Sequence, residues 1–193
     1  MLNKCKKVIY VSHVHLSGKW RGDYYIDYLL SKGIAVEYWD LVTLLYKGID
    51  ELGAESKDDF LRIPRTYDEI ETMLNFQENR GAIYIIHINY GHQYLKLYRL
   101  LSKYNCNMWF MAWGAYPSSS VSRWHKVLRK LSNPLQLIEN VFNRINCIVH
   151  KKLNLVKPFD VVFGAGYSIL KTFPDAVKVV PVNIADYDEY ISI

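Results

Sequence analysis

The start of the fold is decided by residues 6–40, which read KKVIYVSHVHLSGKWRGDYYIDYLLSKGIAVEYWD. An apolar run at 8–11 predicts a strand, and a polar, glycine-bearing turn follows it at 13–22. The pattern then predicts a helix over 23–31, which ends before a glycine, and a second strand over 34–39. A strand, a turn, a helix and another strand form a βαβ unit. Because ligands of open α/β sheets bind beyond the carboxyl ends of the strands, we expect the first functional site in the turn after the first strand.

The rest of the chain continues this alternation of apolar runs and helical patterns. Further strands are predicted at 82–88, 107–113, 159–163 and 178–182. Helices are predicted at 66–79 (behind a capping box that begins at Thr66), 93–104, 118–131, 135–149 and 167–173. Residues 41–65 are less regular. Because parallel neighbours need a crossover, the alternation predicts an α/β fold, a Rossmann-like doubly wound parallel sheet of about six strands with flanking helices. We expect residues 1–193 to form a single Rossmann-like domain.

Composition excludes several classes of protein. Half of the 193 residues are hydrophobic and 22% are charged, which is typical of a globular chain and not of a disordered one. No apolar run approaches the roughly 18 residues of a membrane span. The three cysteines are odd in number and have no spacing typical of a metal site. This predicts free thiols in a reducing compartment, and therefore a cytoplasmic protein.

The positive charge is concentrated in residues 118–158, which contain eight basic residues against one acidic residue, Glu139. Apolar residues recur between the cations at helical spacing, so the segment predicts a basic amphipathic pair of helices. Such a pattern suits an anionic membrane surface. The predicted membrane-surface residues are Arg123, Trp124, Lys126, Arg129 and Lys130. The alternative is a solvated basic face that covers the sheet. Nucleic acid is not predicted as a partner, because no recognised binding motif accompanies the charge.

Polar residues follow several predicted strands and are expected to meet at one edge of the sheet. They are His13 and His15, Asp40, His87 with Asn89, and Trp113. An imidazole titrates near neutral pH, so His13 is a candidate general base. The alternative is that these histidines only cap strand ends. The His-x-His pattern could ligate a metal together with His87, but no Asp-rich or Cys-rich partner accompanies it, so no metal is predicted.

The turn SGKWRG, at residues 17–22, is a second candidate for binding. Its two glycines permit a close backbone approach, and Lys19 and Arg21 would reinforce an anion site at the start of the following helix. The motif is neither GxGxxG nor a Walker loop, so no cofactor is predicted. A plain tight turn is an equally good interpretation. Trp20 adds an aromatic face of the kind on which sugars stack.

Taken together, the chain resembles the N-terminal, acceptor-side domain of a GT-B glycosyltransferase of bacterial surface-polysaccharide biosynthesis, such as capsule or O-antigen synthesis. The resemblance rests on residues 6–33, on DVVFGAG at 160–166 and on KVVPVNIADYDEY at 178–190. It implies that this domain holds a glycan acceptor, free or lipid-linked. The nucleotide-sugar would be held by a C-terminal donor domain that these 193 residues do not include. The chain alone is therefore expected not to transfer sugar.

The resemblance also implies roles for the candidate residues. His13 stands where some inverting members have their catalytic histidine. The implied acceptor-binding residues are His15, Lys19, Trp20, Arg21, His87, Asn89 and Trp113. The implied location is the cytoplasm, peripheral on the inner face of the membrane. Two other functions stay open, a small stand-alone α/β hydrolase and a non-enzymatic Rossmann-type binding module.

Overall fold

The computed structural model describes residues 5–46, 58–112, 134–164 and 173–181. Its centre is a sheet of seven strands in the order β3-β2-β1-β4-β5-β6-β7, and every neighbouring pair is parallel. The strands are β1 Lys7–Ser12, β2 Ala35–Asp40, β3 Leu61–Arg62, β4 Ile83–Ile86, β5 Asn107–Ala112, β6 Val161–Gly164 and β7 Lys178–Pro181. The predicted Rossmann-like α/β fold is confirmed. The sheet has one strand more than expected, because the two-residue β3 lies in the stretch that the sequence leaves irregular.

Six α-helices connect the described strands. They are α1 Gly18–Asp23, α2 Ile26–Ser31, α3 Val42–Leu45, α4 Tyr67–Asn75, α5 Leu95–Lys103 and α6 Pro134–Lys152. Short 3₁₀ turns stand at Gln77–Asn79 and His92–Tyr94. The capping box before α4 is confirmed, since the Thr66 side chain accepts from the backbone N–H of Glu69. The predicted helices at 118–131 and 167–173 lie outside the described residues.

The connection between β1 and β2 differs from the prediction. The expected glycine-bearing turn at 17–22 is wrong, because this stretch forms α1, whose first turn is capped by the hydroxyl of Ser17. The expected single helix at 23–31 is interrupted at Tyr25, which has a left-handed backbone with φ of 53°. A Cβ atom at Gly18 or Gly22 would meet no heavy atom within 4 Å. No close approach therefore requires glycine at either position.

Both faces of the sheet are covered. Alternate residues of β1 belong to two separate apolar clusters, since Ile9 and Val11 pack on one face while Val8 and Tyr10 pack on the other. The first face is covered by α4 and α5, and the second by the segment that contains α1 and α2. The Tyr10 hydroxyl also donates to the backbone oxygen of Tyr24, at 2.6 Å. Because both faces of β1 are buried, its sequence is a continuous apolar run and does not alternate between apolar and polar residues.

The strand order contains a topological switch point between β1 and β4. The chain moves from β1 to β2 and β3 on one side, and then returns to place β4 on the other side of β1. Val11 is consequently in register with Trp39 of β2 and with Ile86 of β4. In open α/β sheets the loops diverge at such a point and leave a crevice outside the carboxyl ends of the strands. Within the described residues, no helix is long and apolar enough to cross a membrane.

Candidate functional site

Three strand ends meet at the switch point and bring the predicted histidines together. His13 and His15 follow β1, and His87 follows β4. The sheet ladder continues past the strand ends, because the N–H of His87 donates to the oxygen of Val11 at 3.0 Å. On the other side of β1, the N–H of Leu41 donates to the oxygen of Ser12 at 2.9 Å. These bonds fix the backbones from which the histidine side chains project.

The loop after β1 is held at Val14, between the two histidines. The Ser12 hydroxyl accepts from the N–H of Val14 at 3.1 Å, and the Tyr38 hydroxyl donates to the oxygen of Val14 at 2.8 Å. A Ser side chain that bonds the backbone two residues further on is a common turn former. The loop that carries His13 and His15 is therefore held by hydrogen bonds to both the N–H and the oxygen of Val14.

His15 is paired with Asp40, the last residue of β2. The Nδ1 atom of His15 lies 2.7 Å from Oδ2 of Asp40, whose side chain is fully buried. The other carboxylate oxygen accepts from the N–H of Val42 at 3.0 Å. Because a carboxylate only accepts, Nδ1 of His15 donates, and Nε2 carries the lone pair in the neutral ring. Nε2 is buried and has no hydrogen-bond partner among the described residues.

His87 lies deepest in the site. Its ring stacks on that of Tyr24, with 4.2 Å between centroids and 22° between planes. Burial and, to a smaller extent, the neighbouring imidazole of His13 together lower the pKa of His87 to about 3. Neither ring nitrogen has a partner within the described part of the chain. A buried ring N–H without a partner is costly, about 1–3 kcal/mol, which makes His87 a candidate ligand-binding group.

His13 is half-buried near His87. Burial lowers its pKa, while a hydrogen bond with the backbone of His87 opposes that shift. Its ring is tilted against Tyr46, with 6.4 Å between centroids. The Tyr46 and Tyr94 hydroxyls lie 3.0 Å apart. His13 is therefore uncharged at neutral pH and able to accept a proton.

The three predicted binding residues of α1 are only partly associated with this site. Trp20 stacks on Tyr24 at 5.2 Å, so it joins the ring stack that ends on His87. Lys19 instead bonds Asp23 at 2.7 Å. Arg21 makes paired contacts with the carboxylates of Asp27 and Asp58 at 2.7–3.0 Å. The cations on which the predicted anion site depended are neutralised within the protein, and the glycine turn is absent.

The remaining predicted residues divide into two groups. Asn89 is exposed on the loop after β4, two residues beyond His87. The other six lie outside the described residues, so their roles stay predictions; they are Trp113, Arg123, Trp124, Lys126, Arg129 and Lys130. In the part of the chain that the structure describes, no group of three His, Cys, Asp or Glu side chains is placed to hold a metal ion.

Several residues of the site could not be assigned from the sequence. Asp40 was recognisable as a polar residue at a strand end, but nothing local indicated its pairing with His15. Tyr46 follows α3 and Tyr94 ends a 3₁₀ turn. Neither tyrosine carries a motif, and both reach the site only through the fold.

The fold and this geometry define a Rossmann-like α/β domain with histidines at the strand ends of its switch point. No protein-family model matches the chain, and neither curated proteins nor solved structures give a significant match. The function therefore has to be argued from the site.

Proposed function

We propose that this chain is the acceptor-binding half of a GT-B glycosyltransferase, with the acceptor bound in the crevice between β1 and β4. The observation that carries the proposal is that imidazoles following β1 and β4 have buried nitrogens without partners among the described residues, and that two of these imidazoles, His13 and His87, are neighbours. Nδ1 of His13, Nε2 of His15 and both ring nitrogens of His87 are buried and lack partners among the described residues. Sugar hydroxyls both donate and accept hydrogen bonds, so they can satisfy such nitrogens.

The proposed chemical role of His13 is that of a general base. The acceptor hydroxyl passes its proton to the imidazole, and its oxygen forms a bond to the anomeric carbon of the donor sugar. The bond from that carbon to the nucleotide phosphate oxygen breaks, and the nucleotide leaves with that electron pair. His13 is assigned this role because it stands where the resemblance to inverting glycosyltransferases has the catalytic histidine, whereas Nδ1 of His15 is committed to Asp40. His15 and Asp40 act as positioning residues for the loop.

The aromatic stack supports a saccharide ligand. Trp20, Tyr24 and His87 form a continuous row of rings with spacings of 5.2 and 4.2 Å. Trp20 is half-buried at the outer end of this row. An apolar sugar face can stack on an indole ring. The row therefore offers an aromatic surface of the kind that saccharides use, beside the imidazoles of the site.

The two alternative functions have less support. A nucleotide-binding module needs a phosphate site, whereas α1 is only six residues long and its Lys19 is paired with Asp23. A hydrolase needs an activated nucleophile beside a base. Ser12 is fully buried, and its hydroxyl accepts from the backbone of Val14. It is therefore not available to attack a substrate.

Imidazole NMR signals test the proposal directly. The protein would be titrated with a panel of oligosaccharides, and separately with nucleotides and nucleotide-sugars, while the Cε1–H signals of its histidines are recorded. We expect saccharides to shift the signals of His13 and His87, and not that of His150 on α6. His13→Gln and His87→Gln should weaken the binding, whereas His150→Gln is the matched control.

The outcomes of these titrations and activity measurements distinguish the three candidate functions and test the position of the site. Saccharide binding with no sugar transfer by the isolated chain supports the acceptor-half proposal. Nucleotide binding without saccharide binding would indicate the non-enzymatic module instead. Turnover of ester substrates that is lost in His13→Gln would indicate a hydrolase. Shifts confined to His150 would place the ligand elsewhere and refute the proposed site.

A further inference from the structure

Helix α6 packs on the domain with its polar side. Nδ2 of Asn146 lies 2.9 Å from Nδ1 of His92, and the Tyr90 hydroxyl donates to the backbone oxygen of Cys147 at 3.2 Å. His150 is half-buried one turn further on, and its Nδ1 bonds the Asn146 oxygen at 2.9 Å. An amphipathic surface helix normally turns its apolar side to the core. This helix has the opposite arrangement.

The apolar side of α6 is exposed to solvent. Six large apolar side chains among its described ones are between 42% and 66% exposed; they are Ile138, Val141, Phe142, Ile145, Ile148 and Val149. At 3.6 residues per turn these positions form one continuous stripe about 120° wide, whose centre points away from Asn146 and Cys147. Large contiguous apolar patches on protein surfaces mark interaction sites. The stripe of α6 is such a patch.

The charges beside the stripe have one predominant sign. The charged residues of α6 are Arg144, Lys151 and Lys152 against Glu139 alone. Arg144 and Lys151 lie along one flank of the stripe, and Lys152 continues it at its carboxyl end. There a cleft of about 550 Å³ is lined by Lys151, Lys152 and Lys157, and also by Asp175, which pairs with Lys151 at 3.1 Å. Arg144 and Lys152 are therefore the cations that the flank offers most directly. An anionic surface would complement this flank.

We propose that the apolar stripe of α6 docks in the headgroup region of an anionic membrane. An exposed apolar stripe with a cationic flank, on a helix that does not span, is the arrangement of an interfacial helix. A second copy of the chain would bring the same positive excess to both sides of the contact. The inference does not depend on the proposed transferase function, because it rests on α6 alone. It extends the sequence-based membrane prediction for the segment 118–158 from the residues named there, at 123–130, to the exposed stripe of α6.

The position of α6 gives this docking a consequence. Phe142 lies against His92, with 6.3 Å between ring centroids, and His92 belongs to the loop that follows β4. The stripe therefore begins beside the same sheet edge that carries the histidines of the site. A docked α6 would hold that edge close to the lipid headgroups.

The apolar part of the proposal is tested by vesicle co-sedimentation of the whole chain. Vesicles of phosphatidylcholine alone are compared with vesicles of phosphatidylcholine and phosphatidylglycerol. Phe142→Ser with Ile145→Ser should weaken binding to the anionic vesicles about tenfold or more, because both side chains lose their apolar burial. The matched control is Phe76→Ser with Leu30→Ser, which alters an exposed aromatic residue and an exposed aliphatic residue of α2. It should bind like the parent.

The electrostatic part is tested with a second pair. Arg144→Gln with Lys152→Gln should weaken binding about fivefold for each cation, which corresponds to about 1 kcal/mol each. Added salt should reduce the difference between these variants and the parent. Lys6→Gln with Arg80→Gln removes the same charge from exposed positions elsewhere and should have a smaller effect.

Three results would overturn the inference. The first is a parent protein that does not bind anionic vesicles. The second is an apolar variant that binds as well as its control. The third is a concentration-dependent dimer, seen by sedimentation velocity, that the apolar variant abolishes, because the stripe would then be an interface between copies. Urea unfolding of all variants checks that the fold is retained, as expected for exposed positions.

Discussion

Replacing Asp40 by Asn tests the geometry on which the site is built. The Asp40 side chain is fully buried and has two contacts, with the N–H of Val42 at 3.0 Å and with Nδ1 of His15 at 2.7 Å. The Asn carbonyl can still accept from Val42. Its amide group then faces His15 and can only donate. The imidazole must therefore accept at Nδ1 and carry its proton on Nε2, which reverses the tautomer.

The expected loss of stability follows from the one contact that is lost. A hydrogen bond to a charged group contributes about 1.5–3 kcal/mol. Asn also removes a buried charge, which offsets part of that loss, so we expect Asp40→Asn to lower the free energy of unfolding by about 1–2 kcal/mol. Asp23→Asn is the matched control. It disrupts the i, i+4 pair with the exposed Lys19 on α1, for which about 0.3–0.5 kcal/mol is expected.

Two measurements check this prediction. Urea unfolding gives the stability difference between Asp40→Asn and Asp23→Asn. Nitrogen-15 NMR of the imidazole reports which ring nitrogen of His15 carries the proton. An unchanged tautomer in Asp40→Asn, together with a stability loss no greater than that of Asp23→Asn, would refute the pairing. Loss of saccharide binding with the fold retained would support the positioning role of Asp40.

Three further predictions concern stability and the site. The pKa of His87 is about 3 in the folded state and 6.5 in the unfolded state, so between pH 3 and 6.5 the folded state binds fewer protons than the unfolded state. Stability should therefore fall on acidification by up to about 1.4 kcal/mol per pH unit. Urea unfolding across pH should give a shallower slope for His87→Phe, and an unchanged slope would contradict the assignment. In urea unfolding, Arg21→Gln should lower the stability of the protein more than Lys19→Gln does, because Arg21 pairs with two carboxylates. Arg21→Gln should leave the saccharide-induced NMR shifts of the histidines unchanged. Loss of these shifts would instead indicate that Arg21 binds the saccharide. Thr66→Ala should lower the urea midpoint by an amount equal to about 1 kcal/mol, through the lost cap of α4, and an unchanged midpoint would contradict the capping role.

The sequence predicted the elements whose signals are local. The apolar runs at β1, β2 and β4 identified buried strands, and the Thr66 capping signal located the start of α4. The position of His13 and His87 directly after strands was sufficient to predict a shared edge. Local patterns are informative here because buried strands and helix caps are specified by side chains a few residues apart.

Local signals misled in one place and were incomplete in another. The glycines of 17–22 favoured a turn, but the Ser17 cap and the packing of Trp20 and Tyr24 stabilise α1. Helix propensity is a weak preference that tertiary contacts override. The apolar periodicity of α6 was predicted correctly, but periodicity cannot state which side of a helix meets the domain. Only the contacts of Asn146 and Cys147 decide that the apolar side is exposed.

The features of the candidate site can also be divided into those that local signals predict and those that depend on tertiary contacts. The sequence alone determined an α/β fold and the strand-end positions of its histidines. The tertiary structure decided that β4 returns beside β1 and creates the switch point, and that His15 pairs with an Asp40 that lies 25 residues away. Strand order and side-chain pairing depend on contacts between residues distant in the chain. Such contacts form only when the sheet is assembled. They produce no periodicity or composition in the individual segments from which they could be predicted.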